Sequence, residues 1–277
     1  MAWEILEDAE RFRGAAAGYL HARPALCTLL LTVSEAVRGN GGANPWGPRP
    51  AWFGVYRDGG GRVLGGALRT PPHGVVLGPG PAEAAAELAG LRPCDTVTGA
   101  PELAAAYAEA RGGEWRVRQE QRLYRLGELT PQRPAPKGSA RLAAEADAPL
   151  LARWAAEFTA EAHGGDPLAD PEGWAGRRIG SGLLTVWQVD GEPVCFAGRS
   201  QVVAGQARIA PVYTPAGLRG RGYAGAATAA ASRSALDAGA EEVLLFTDLA
   251  NPTSNALYQR LGYRPIADQR RLVRRGN

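Results

Sequence analysis

Cysteine is scarce in this 277-residue chain: Cys27, Cys94 and Cys195 stand far apart. Their spacing forms no C-x-x-C pair that would hold zinc or run dithiol chemistry, so no metal is expected and all three read as buried thiols. Lysine is scarcer still, with Lys137 alone among 31 Lys and Arg residues. The accompanying abundance of Ala, Gly, Pro and Arg looks like the bias of a GC-rich genome and weakens arguments from composition. No stretch approaches the run of about 20 apolar residues that crosses a membrane. Residues Met1 to Arg13 carry Glu4, Glu7, Asp8 and Glu10 and no apolar signal core, which places the protein in the cytoplasm. Charge of one sign is lacking too: 31 basic against 28 acidic residues leave a net +3. That excess does not argue for nucleic acid, and Arg270, Arg271, Arg274 and Arg275 read as a solvated last strand and frayed terminus. No heptad run signals an oligomer.

What is present is a chain that folds, 45% hydrophobic and 21% charged. Its length suits two domains. The segment GELTPQRPAPKGSAR contains Pro131, Pro134 and Pro136, whose fixed φ and missing donors disfavour helix and inner strand. This predicts a domain over 1–126, a linker over 127–138 and a second domain over 139–277. In the first, strands are expected at Trp52–Tyr56, Val63–Leu68, Val75–Leu77, Asp95–Thr98 and Trp115–Tyr124, with helices at Ala82–Ala89 and from Pro101. In the second, a helix at Leu151–Ala162 precedes strands at Leu184–Val189, Val194–Arg199 and Gln206–Tyr213. A helix at Tyr223–Ala238, a strand at Val243–Phe246, a helix ending at Leu261 and a strand near Gln269–Val273 follow. The repeated element order suggests two copies of one α/β unit.

Two stretches carry chemistry. In VYTPAGLRGRGYA, Val212 to Ala224, a strand leads through Gly217, Gly220 and Gly222 into a helix. Free amides and the positive dipole end at a helix start favour an anion, so Gly220 to Ala224 can cradle a pyrophosphate, with Arg219 or Arg221 adding charge. Tight turns use the same glycines, and the run alone does not choose between the two. It matches neither the P-loop nor the dinucleotide pattern GxGxxG. In TDLANPTSNALYQRLGYRP, Thr247 to Pro265, Asn251 suits an N-cap, Pro252 a first turn and Gly262 a helix stop. Asn255 and Tyr258, three apart, share a face, which serves either a ligand or packing.

Taken together the two stretches resemble the GNAT N-acyltransferase superfamily, whose acetyl-coenzyme A signature Arg/Gln-x-x-Gly-x-Gly/Ala is followed by an Asn-led helix bearing Tyr. The matching residues are Arg219-Gly220-Arg221-Gly222-Tyr223-Ala224 and Asn251 through Tyr258. The resemblance covers roughly Arg141 to the end. It implies an α/β (α+β) chain of two tandem GNAT-like domains, each a mixed, mostly antiparallel sheet flanked by helices. It also implies that acetyl-coenzyme A is the cosubstrate. Direct attack by an amine is implied, with a backbone amide in Val212, Tyr213 or Thr214 polarising the carbonyl and Tyr258 protonating the departing thiolate. A phenol of pKa about 10 suits that role, being neutral at pH 7. Asn251 and Asn255 join the cofactor-binding set.

The acid expected on the central strand is absent: residues 207–211 read Ala-Arg-Ile-Ala-Pro. Glu161 is the candidate base, with Glu157 and His163 nearby; either carboxylate reads equally as a solvated helix residue. The acidic set Glu157, Glu161, Asp166, Asp170 and Glu172 hints at a cationic acceptor, a small molecule or a peptide. The first half lacks the signature. Its turn after Val75–Leu77 reads GPGPAEAAAEL, where Pro79 and Pro81 remove amides. It is expected to be a degenerate copy that either shapes a substrate cleft or is structural. Two alternatives stay open, a non-catalytic coenzyme A-binding regulatory module and transfer of a longer acyl group.

Overall fold

The computed structural model describes residues 1–163 and 168–275. These form two compact units: unit 1 comprises Met1–Leu123, Thr247–Ala250 and the chain from Ile266 onward, and unit 2 comprises Tyr124–Phe246 and Asn251–Pro265. Each unit is therefore assembled from separate stretches, where the prolines predict two contiguous domains, and residues 127–138 lie within unit 2. Asp166 and the side chain of His163 lie outside the described residues.

Unit 1 begins with elements that the motif reading did not anticipate. Strand β1 (Ala2–Leu6) pairs antiparallel with β2 (Trp52–Arg57), in register Ala2↔Arg57. Helix α1 (Ala9–Ala15) is capped by Asp8, whose carboxylate accepts the Arg11 amide at 2.8 Å. Helices α2 (Ala17–Ala22) and α3 (Thr28–Gly39) follow, and α3 buries Leu30, Leu31 and Val37 at helical spacing. Strand β2 turns into β3 (Val63–Arg69) at a loop where Asp58 accepts the amides of Gly60 and Arg62, and β4 (Val75–Leu77) pairs with β3.

After α4 (Ala82–Leu91) the chain forms β5 (Thr96–Gly99), parallel to β4, then α5 (Pro101–Arg111) and β6 (Trp115–Leu126). Val97, Leu88, Leu103 and Tyr107 close a core between these helices and the sheet. The last strand, β12 (Tyr263–Arg274), runs antiparallel to β5 with Arg270↔Gly99. The arginine-rich stretch is the last strand, as expected, and its arginines are paired: Arg270 with Glu120 at 2.7 Å, Arg274 with Asp95 at 2.6 Å and Arg275, just after the strand, with Glu114 at 3.1 Å.

Unit 2 places β7 (Ser139–Leu142), β8 (Leu184–Val189), β9 (Glu192–Arg199), β10 (Gln206–Tyr213) and β11 (Glu242–Asp248) side by side in the order β11-β10-β9-β8-β7. Pairing is antiparallel except between β10 and β11. Because strand residues alternate faces, Cys195 and Ala197 of β9 join one core and Phe196 the other. Helix α8 (Tyr223–Asp237) covers the first face, its many alanines letting it lie close to the sheet.

Helices α6 (Ala148–His163) and α7 (Pro171–Gly180) cover the second face, where Trp154 stacks on Phe196 at 6.3 Å. Ahead of α6, Asp147 takes two hydrogen bonds from Arg141, at 2.6 and 2.8 Å, and one from the Ala144 amide. The Arg141 guanidinium holds the Asp147 carboxyl below its ordinary range. Helix α9 (Pro252–Arg260) stops at Gly262, which adopts φ +100°. No helix among the described residues is long and apolar enough to cross a membrane.

Candidate active site

The site begins where a sheet opens. Parallel strands β10 and β11 pair from Gln206↔Glu242 to Arg208↔Leu244 and no further, although both run on. On its other edge β10 pairs with β9 at Ile209↔Arg199 and again at Val212↔Ala197, so Ala210 and Pro211 face Gly198 alone in a bulge. Strand β10 therefore bends away from β11 and leaves a fork. Val212, Tyr213 and Thr214 lie at its open end.

At the mouth of this fork α8 starts. Gly220 and Gly222 sit at φ +78° and +84°, a region that side chains with a Cβ resist, and Gly222 is the N-cap. The Ala226 amide makes the helix's first backbone bond, to the Gly222 carbonyl at 3.2 Å. The amides of Tyr223, Ala224 and Gly225, one turn earlier, have no helical acceptor and point out of the helix end. A cluster of donors without acceptors at a bare glycine backbone fits an anionic group such as a pyrophosphate.

Against this first turn lies the predicted linker. A β-carbon on Gly225 would stand 2.7 Å from the Gln132 carboxamide, and one on Gly222 3.6 Å from Pro136. The Gln132 Oε1 is buried and accepts no hydrogen bond. Sequence reading missed this contact, because nothing in a proline-rich segment says what it packs on.

Arg219 does not face the helix entrance. Its Nε donates to the Thr214 carbonyl at 2.8 Å, its Nη2 pairs with Glu161 at 2.6 Å, and its guanidinium stacks over the Tyr213 ring at 5.7 Å. Arg221 donates to the Gly217 carbonyl at 3.3 Å and stays exposed. Glu161 in turn accepts from Tyr213 at 3.2 Å, and Glu157 accepts from the same hydroxyl at 2.9 Å. Burial, then the hydrogen bond to Glu157 and the charge of Glu161, hold the Tyr213 phenol far above its ordinary pKa. Tyr213 thus joins α6 to β10.

Helix α9 is set as its sequence predicts: the Asn251 side chain accepts the Ser254 amide at 3.0 Å. Asn255 is engaged within the fold. It accepts the Tyr124 hydroxyl at 2.9 Å and donates to the Asn251 carbonyl at 2.8 Å, while Gln259 donates to Tyr124 at 3.2 Å. Tyr258, buried against Tyr263, makes no hydrogen bond among the described residues. Burial, with Cys195 beside it, pushes its pKa up to about 12, so the phenol holds its proton at neutral pH. The Thr214 hydroxyl is buried beside the Cys195 thiol, which burial lifts to about 12. All three cysteines are buried and free. No group of three or more His, Cys, Asp or Glu residues among those described is arranged to hold a metal.

Comparison with known proteins accords with this geometry. The model of the acetyltransferase (GNAT) family matches residues 148–263. No curated protein matches the sequence. A Drosophila protein of known structure is 13% identical, covers 98% of each chain and superposes at a TM-score of 0.65. A GNAT-family acetyltransferase from Colwellia psychrerythraea is 12% identical, with 98% of each chain covered and a TM-score of 0.58. A tandem GNAT protein of the clavulanic acid biosynthesis pathway is 16% identical, covers 98% of this chain and 97% of its own, and gives 0.56. Identities this low speak for fold alone. Residues 148–263 match the model of the acetyltransferase (GNAT) family, and the chain as a whole has the fold of a tandem GNAT protein.

Proposed function

We propose that unit 2 transfers the acetyl group of acetyl-coenzyme A to a primary amine of a small molecule or peptide, by direct attack and without a covalent enzyme intermediate. The observation that carries this reading is the row of unpaired amides at the start of α8, set at the open end of the β10–β11 fork with Tyr258 free of other bonds. Family members use an acyl-coenzyme A, whose thioester is an activated acyl donor. Gly220, Arg221, Gly222, Tyr223 and Ala224 hold the pyrophosphate through backbone amides, joined by Gly225. A backbone amide within Val212–Thr214 stabilises the developing oxyanion. Tyr258, raised to about 12, delivers its proton to the leaving thiolate, a role that demands a phenol still protonated at neutral pH.

Asn251 and Asn255 act at one remove. By capping α9 and gripping Tyr124 they fix where Tyr258 sits. The proton of the attacking amine passes to the Glu157–Glu161 pair, whose two carboxylates meet on Tyr213. Glu161 takes part as a member of that pair, since Arg219 already holds it.

Thermal unfolding with and without acetyl-coenzyme A tests the cofactor half of the reading, because a ligand bound by the folded state alone raises the midpoint. The wild type should shift and Gly222→Glu should not. Absence of a shift in the wild type at high ligand concentration sinks the proposal. Thiol release in an amine screen then tests transfer.

A further inference from the structure

Arg208 stands on β10 at the apex of the fork, as the last residue paired with β11. Its neighbours Ala207 and Ile209 belong to the core under α8, so alternation directs Arg208 to the opposite face, the one covered by α6 and α7. There it meets Arg178 of α7. The Arg178 Nη1 donates to the carbonyls of Arg199 and Ala210, at 3.1 and 3.3 Å, and its guanidinium lies over the Trp174 ring at 5.3 Å. A β-carbon on Gly198 would come within 3.1 Å of that Nη1, so glycine there lets the arginine reach the strands.

Arg208 is held by less. Its Nη1 is buried and has no hydrogen-bond partner, and neither arginine forms an ion pair among the described residues. Both guanidinium pKa values are lowered to about 10, Arg178 by burial and Arg208 by burial together with the positive charge of Arg178 beside it. Both residues nonetheless keep partial contact with solvent.

Two like charges brought together largely away from water, with no carboxylate between them, cost stability, and Arg208, unlike Arg178, makes no side-chain hydrogen bond among the described residues that offsets this. Planar guanidinium forks are the side chains suited to a two-oxygen anion. The face they occupy also carries Tyr213, Glu157 and Glu161, and it is opposite the face under α8, whose N-terminal amides suit the cofactor. We infer that Arg178 and Arg208 form an oxyanion-binding site on the acceptor side of unit 2, so that the amine it acetylates also carries a carboxylate or a phosphate. The acceptor role rests on the acetyl-transfer reading above; the anion site itself does not.

The test separates the two. Unfolding midpoints are measured for the wild type, Arg208→Met and Arg208→Lys, alone, with acetyl-coenzyme A, and with a panel of acceptors. The panel contains α-amino acids, β-alanine and 4-aminobutyrate, each with its carboxamide, and ethanolamine phosphate with ethanolamine. Without ligand, Arg208→Met should unfold at the same or a higher temperature, an outcome a purely structural arginine does not allow. Anionic panel members should raise the wild-type midpoint and leave that of Arg208→Met unmoved, with Arg208→Lys between. Carboxylate and phosphate arms show which oxyanion is taken.

In thiol-release assays the anionic acceptor should exceed its neutral counterpart in kcat/KM by roughly a hundredfold. Arg208→Met should erase that preference while its response to acetyl-coenzyme A persists. A midpoint response to acetyl-coenzyme A but to no anion, turnover indifferent to the anionic group, or a clear loss of stability in Arg208→Met overturns the inference. An anion response without an acetyl-coenzyme A response instead overturns the transfer reading and leaves the anion site standing.

Discussion

Units 1 and 2 each send a strand into a helix beside a parallel neighbour, and they treat that turn in opposite ways. In unit 2 the turn before α8 is bare backbone, with amides lacking acceptors. In unit 1 the turn before α4 holds Pro79 and Pro81, and Pro81 is the N-cap. The Tyr19 hydroxyl donates to the Pro79 carbonyl at 2.7 Å, and the Trp3 indole donates to the Ala84 carbonyl at 2.9 Å. A β-carbon on Gly78 would lie 2.5 Å from both Leu30 and Tyr19, and the cavity left beside it measures about 10 Å³, room for about one water. The turn of unit 1 is thus filled by its own side chains, with Pro79 and Pro81 supplying no amides, where that of unit 2 presents donors. A shared element order does not carry a shared site; the amides and the space have to be left open.

The largest expected effect breaks the comparison at its centre. Gly222→Glu, which places a side chain at φ +84° and an anion in the amide cluster, should abolish the midpoint shift with acetyl-coenzyme A. The matching change in unit 1, Pro79→Gly with Pro81→Gly, should leave that shift intact, since Tyr19 and Leu30 still fill the turn. Next comes Tyr258→Phe. Single-turnover thiol release should fall by roughly a hundredfold or more while the shift is retained. Equal rates in the variant would remove Tyr258 from the role of acid, whereas no thiol release by the wild type with any amine would favour a binding module that does no chemistry.

Opening unit 1 tests the converse. Leu30→Ala should cost about 2–5 kcal/mol in denaturant unfolding, as for other buried leucines, and still create no acetyl-coenzyme A site there. A second shift that survives Gly222→Glu in that background would show the two turns to be interchangeable. The mildest effects are electrostatic. Tyr258 in unit 2 and Tyr107 in unit 1 are both raised to about 12, chiefly by burial. Folded chain then keeps protons that unfolded chain loses above about 10, so stability should be full below pH 10 and decline toward pH 12 in urea titrations. Tyr258→Phe should flatten part of that decline. Tyr19→Phe, which removes one hydrogen bond, should cost only about 1 kcal/mol.

Much of the architecture was legible where local rules dominate. Asn251 caps α9, Gly262 ends it, and β10 occupies Gln206–Tyr213 as expected. The first 51 residues were not legible as elements, since α1 to α3 are short and carry their apolar residues without a motif. The site divides in the same way. Glycines at a helix start announce open amides locally. Arg219, within the signature itself, turns out to bond Thr214 and Glu161, and Asn255 to hold Tyr124, contacts across 58 and 131 residues of sequence.

By itself, then, the sequence determined the backbone conformations that need glycine, proline or a capping side chain, and with them the turn that leaves amides free, because those preferences act over a few neighbouring residues. Only the tertiary structure decided which charges meet a partner. Arg178 and Arg208 are 30 positions apart and ordinary in the sequence; a bulged strand and a helix bring them together, and a charge's cost or use depends on surroundings that no local pattern encodes.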